Sequence, residues 1–131
     1  MGKRMFDGGE RGWPEEAPFH TPVFVLTHQR REPWVRPGGT IFYFVQEGPE
    51  RALELAREAA GDRDIRISGG ADVIQQCLNL GAVDELEMAL VPVLFGGGRR
   101  LFENLREPLP EFHVDRVIHT PDATHLRYVR K

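Results

Sequence analysis

The chain has 131 residues and one cysteine, and 17 lysines and arginines against 20 aspartates and glutamates leave a net charge of −3. Charges of both signs are mixed along it, so it lacks the electrostatic footprint of a nucleic-acid binder, and no apolar run approaches the ~20 residues a membrane span needs. A single cysteine rules out an internal disulfide, and the five histidines lack metal-ligand spacing.

In chain order, Gly2-Lys3-Arg4-Met5-Phe6-Asp7 predicts the start of a helix with Lys3 and Arg4 in its first turn. The macrodipole disfavours cations there. An anionic ligand is one reason to place them so; a frayed basic terminus is the other reading. Gly8 to Pro22 is rich in Gly, Pro and Glu and predicts a loop, anchored by Trp13. Pro22-Val23-Phe24-Val25-Leu26-Thr27-His28 is an apolar run closed by polar residues, as expected of a strand buried on both faces. Arg30 and Arg31 follow at its carboxyl end, the edge where open α/β sheets bind ligands. A further strand is predicted at Thr40 to Val45, then a helix opened by Gly48-Pro49 and stopped by Gly61.

The most informative stretch runs from Asp64 to Gln76. Ile65 and Ile67 predict a short strand, Gly69-Gly70 a tight turn, and Ala71, Ile74, Cys77 and Leu78 the apolar face of a helix. Glycines there let a backbone approach a ligand, and the free N–H groups of a new helix favour a phosphate. The same pair is also an ordinary turn between strand and helix, and the spacing is neither a P-loop nor the six-residue dinucleotide fingerprint. Cys77, on the apolar face, reads as a small buried hydrophobe. Gly81 ends the helix and Val83 to Leu94 predicts a long strand. Gly96-Gly97-Gly98-Arg99-Arg100 fits either an anion cradle or a plain turn, and Phe112 to Arg130 predicts an antiparallel hairpin around Pro121-Asp122. The order predicts one α/β domain over residues 1–131, a mostly parallel sheet flanked by helices and ending in an antiparallel hairpin.

Nucleophilic catalysis has little support, because Ser68 lacks a G-x-S-x-G elbow. Asp62/Asp64 and Glu85/Glu87 read as solvated strand ends. Phosphate recognition remains, at Lys3/Arg4, at Thr27/His28 with Arg30/Arg31, and at Gly69/Gly70. One extended ligand with several phosphates would satisfy all three.

Met-Gly-Lys-Arg-Met-Phe-Asp, Phe-Val-Leu-Thr-His, Ile-Ser-Gly-Gly-Ala-Asp-Val-Ile-Gln-Gln, Gly-Ala-Val-Asp-Glu-Leu, Pro-Val-Leu-Phe-Gly-Gly-Gly and Arg-Leu-Phe occur in this order. Together they resemble the dihydrofolate-reductase-like family, and more closely the C-terminal reductase domain of the bifunctional riboflavin-biosynthesis deaminase-reductase and its stand-alone relatives. The resemblance implies an NADPH site. Lys3, Arg4 and Met5 match the basic helix start, Thr27 and His28 the strand end that lines the adenosine part, and Ser68, Gly69, Gly70, Ala71 and Asp72 the turn under the pyrophosphate. It further implies hydride transfer to a small molecule, pteridine-like or ribosylaminopyrimidine-like; the lone cysteine separately fits a reducing cytoplasm, and the histidine spacing offers no metal site.

Family members carry a further segment before the Gly-Lys-Arg-Met stretch, with the central strand, the substrate loop and the catalytic acid of true dihydrofolate reductases. No residue here inherits that acid. An absent central strand leaves sheet edges unpaired, so a homodimer that completes sheet and site is one expectation. A truncated reductase, a non-catalytic NADP-binding module and an interaction domain are the alternatives.

Overall fold

The computed structural model describes residues 1–131. It is mixed α/β, and residues 1–74 and 75–131 form two compact units.

In the first unit, helix α1 (Lys3–Glu10) begins directly after Gly2. Strand β1 (Pro22–Leu26) pairs in parallel with β3 (Ile41–Val45), and the short β2 (Trp34–Val35) pairs antiparallel with the other side of β3. Helix α2 (Pro49–Ala60) has Pro49 in its first turn and Gly61 at its C-cap, as the sequence predicts. It buries Ala52 and Leu53 and packs along β1.

The core of this unit is aromatic. Phe6 from α1 and Phe42 from β3 are fully buried with Val25. The Phe6 ring meets Phe42, Phe44, Trp13 and Trp34 edge-on, at centroid distances of 5.1 to 6.0 Å. Trp13 does anchor its loop, stacked 5.3 Å from Phe42. Edge-to-face pairs of this kind add about 0.5–1.5 kcal/mol each beyond area burial. β1 buries only one face fully: Val23 and Val25 are inside, while Phe24 and Leu26 are half-buried. Both-faced burial was the expectation, and a continuous apolar run does not distinguish the two.

Helix α3 (Ala71–Asn79) crosses the boundary between the units at Ile74. In the second unit, β4 (Glu85–Leu90), β5 (Phe112–His119) and β6 (Thr124–Arg130) form a wholly antiparallel sheet in the order β4-β6-β5. Leu78 and Cys77 are buried on α3, as is Leu86 on β4. The Gln75 amide donates to the carbonyls of Arg100 and Leu101 at 2.9 and 3.1 Å, which ties down the segment after the glycine loop. No helix is long and apolar enough to cross a membrane.

The mostly parallel sheet expected from the sequence is not what forms: β1–β3 is the one parallel strand pair, and the other ladders are antiparallel. Two expected elements account for the difference. Residues 64–67 form no strand and join no ladder, so no parallel strand follows α2. The expected strand over 83–94 stops at Leu90, because Pro92 has no N–H to donate and biases Val91 before it. What remains of it pairs with β6 instead.

Candidate functional site

The site is a corner of the first unit where three chain segments meet through backbone hydrogen bonds. The Gly2 N–H donates to the Gly69 carbonyl at 2.8 Å, and the Leu26 N–H donates to the Met1 carbonyl at 2.9 Å. The Met1 amino group donates to the Phe24 carbonyl at 2.7 Å. Met1-Gly2 therefore lies between the end of β1 and the Gly69-Gly70 turn. Helix α1 starts from Gly2 and α3 starts from Gly70, with first helical bonds Phe6 N–H to Gly2 O and Ile74 N–H to Gly70 O, both 3.1 Å.

Close approach explains the glycine at position 2. A Cβ there would sit 2.9 Å from Val73 Cγ2 and 3.6 Å from the Gly70 nitrogen. Gly69 is buried with φ of +90°, a conformation open to glycine, and its peptide bond to Gly70 is cis.

The amides of Lys3, Arg4 and Met5 precede the first helical bond of α1, so the helix itself gives them no partner. Its first turn holds no acidic residue and its N-cap no side-chain hydrogen bond. Arg4 and Met5 are exposed beside these amides. Lys3 is half-buried and its ammonium is ion-paired with Asp7 one turn on, so Arg4 supplies the more available charge. An anion at this helix start would meet aligned N–H dipoles and cationic side chains together. The start of α3 differs, since Asp72 already places a carboxylate in its first turn. That charge complements the helix dipole and repels a phosphate.

The remaining sequence-derived candidates divide. Ser68 and Ala71 are half-buried on either side of the glycines, and Gly70 is exposed. His28 is exposed just beyond β1. Thr27 is buried, and its N–H donates to Val45 O at 3.1 Å while its hydroxyl accepts from Gln29 N–H at 3.0 Å. Its side chain thus closes the turn after the strand. Arg31 does not join a phosphate cluster. Its guanidinium donates to Glu10 Oε1 at 2.5 Å and lies over the rings of Phe44, Phe6 and Trp34, 4.9 to 5.4 Å from their centroids. The hydrogen bond holds Glu10 below the ordinary carboxylate range and raises Arg31.

Sequence reasoning missed this clasp of α1, and its only signal was an arginine near a run of aromatics. No cluster of three or more His, Cys, Asp or Glu suits a metal ion. In the second unit, Leu78, Leu86, Leu105, Phe112 and Tyr128 line an apolar cleft of about 290 Å³, which shares none of the site residues.

The corner defines a class: an α/β domain with a glycine turn and a basic helix start side by side. The family model of the RibD C-terminal domain matches residues 7–125, and the chain belongs to that family. Lys3, Arg4 and Met5 lie just before the matched range. The fold is similar to that of a Shewanella sp. PV-4 protein named for riboflavin biosynthesis, with TM-score 0.73 and 26% identity, over 100% of this chain and 72% of that one. A pyrimidine reductase-like protein from Corynebacterium diphtheriae shares the fold at TM-score 0.56 and 18% identity, over 84% of this chain and 50% of that one. The uncharacterized protein YyaP of Bacillus subtilis is 40% identical over 45 residues, which is 34% of this chain and 24% of YyaP.

Proposed function

We propose that the chain holds NADPH at the α1–α3 corner and belongs to a reductase of the riboflavin-biosynthesis type. The observation that carries this reading is the start of α1, where amides that the helix leaves without an internal partner and the exposed Arg4 follow directly on Gly2, which is bonded to the buried Gly69 of the glycine turn. The residues fit a phosphate-bearing ligand at α1 better than at α3, where Asp72 opposes it. Arg4 and the amides of Lys3 to Met5 would hold a phosphate, and His28 stands at the neighbouring strand end. Gly69 and Gly70 would let the ligand lie against backbone. When bound, the nicotinamide supplies the hydride, and the protein positions it. The family points to a pteridine-like or ribosylaminopyrimidine-like acceptor.

Calorimetric titration with NADPH and, separately, NADH tests the reading. Binding with preference for NADPH is expected, and Arg4→Glu should weaken NADPH binding about tenfold by placing an anion at the helix start. Failure to bind either dinucleotide, or an unchanged affinity in Arg4→Glu, would refute it. Binding without turnover of any such acceptor would make the chain a cofactor-holding module.

A further inference from the structure

Helix α1 carries its charges against its own dipole. A helix start favours anions and a helix end cations, yet Lys3 and Arg4 stand in the first turn and Glu10 in the last, where no basic residue joins it. The order of the pair Lys3–Asp7 is also the weaker one, since an i,i+4 ion pair supports a helix best with its acid on the N-terminal side. Helix stability therefore does not account for Asp7.

Lys3, Asp7 and Glu10 follow at spacings of four and three, so they share one stripe of α1. Each acid has its own cation: Asp7 takes the Lys3 ammonium and Glu10 the Arg31 guanidinium. The four charges sense one another. Glu10 is held down chiefly by the Arg31 hydrogen bond, against burial and the Asp7 charge, with a small further pull from Lys3.

Resting on the reading of the α1 start as a phosphate site, we propose that Asp7 stands in for the ligand phosphate in the free chain and yields Lys3 when the phosphate arrives. The magnitudes allow the exchange. The side chains of Lys3 and Asp7 are 29% and 44% exposed, and an ion pair so open to solvent changes an equilibrium about fivefold at most. A phosphate brings up to about two negative charges, favoured by the helix dipole, and accepts charge-assisted bonds about twice as strong as neutral ones. A lysine, a point charge on a flexible stem, suits such a change of partner better than an arginine. Asp7 thus lowers affinity by the strength of the pair that binding breaks. It acts on the ligand through Lys3, as a positioning residue.

Calorimetric titration of variants with NADPH tests this. Asp7→Asn should bind NADPH about three- to fivefold more tightly than the original chain. Asp7→Glu keeps the charge one turn from Lys3 and should bind as the original does. Lys3→Met should bind more weakly, and adding Asp7→Asn to it should change the affinity less than about twofold, because the pair is already gone. Circular dichroism confirms the fold of each. No gain in Asp7→Asn, or a gain that persists without Lys3, would overturn the proposal and leave the phosphate site standing. Failure of the original chain to bind NADPH would overturn the site and the proposal together, which tells the two failures apart.

Discussion

The two units of the chain are built on opposite plans. Residues 1–74 concentrate their large side chains inward, with Phe6 and Phe42 fully buried and Trp13, Phe19, Trp34 and Phe44 packed around them. Residues 75–131 turn many of theirs outward: Leu94, Phe95 and Leu90 are 99%, 84% and 67% exposed, and β5 buries nothing fully. The helix start proposed to hold phosphate stands on the first plan. A recognition site needs backbone held in place by packing, and the aromatic core around Phe6 of α1 supplies it.

The largest expected effect contrasts phenylalanines from the two units. Phe42→Ala should cost about 3–5 kcal/mol of unfolding free energy in urea, since the ring is fully enclosed by other rings. Phe102→Ala, at a ring 51% exposed, should cost less than about 1 kcal/mol. Equal losses would break the contrast.

A smaller effect is expected at the corner itself. Gly2 has φ of −83°, which any residue adopts, so Gly2→Ala tests space alone. Its Cβ would sit 2.9 Å from Val73 Cγ2, a buried side chain with little room to move. The expected loss is about 1–2 kcal/mol, with weaker NADPH binding as α1 and α3 part. Adding Val73→Ala should recover the binding. If Gly2→Ala binds NADPH as well as the original chain, the two helix starts do not form one site.

Local signals were the legible part of the sequence. Pro49 and Gly61 bracket α2, Gly81 follows α3, and the terminal hairpin forms where alternation and Pro121-Asp122 placed it. Three separated segments, Lys3–Met5, Thr27–His28 and Ser68–Asp72, are the candidates in the sequence, and the backbone bonds of Met1 and Gly2 to Phe24, Leu26 and Gly69 bring their chain neighbours to one corner. Sheet partners were not legible. Ile65 and Ile67 alternate like a strand, yet a ladder depends on which neighbour offers its edge, which short-range pattern does not encode. The dipeptide Trp34-Val35 is too short for any periodicity, yet it turns the edge of β3 antiparallel. Charge was misleading for a related reason. Arg30 and Arg31 look alike in sequence, but only Arg31 meets a carboxylate and three aromatic rings.

That distinction supports the smallest of the predicted effects. Glu10 ends α1, and its bond to Arg31 lowers the Glu10 pKa in the folded chain. A carboxylate depressed in this way stabilises the fold at pH above its unfolded value of about 4.3 and loses that contribution as pH falls through the folded value. Arg31 is raised and stays charged throughout. The side chains are 31% and 38% exposed, so solvent screening limits the pair to below about 1 kcal/mol. The difference in unfolding free energy between the original chain and Glu10→Gln should be full at neutral pH and vanish in acid. Arg31→Gln should cost more than Glu10→Gln at every pH, because it also uncovers the faces of Phe44 and Phe6. Equal losses for the two variants would make Arg31 a surface charge after all, and return it to the cationic edge where the sequence first placed it.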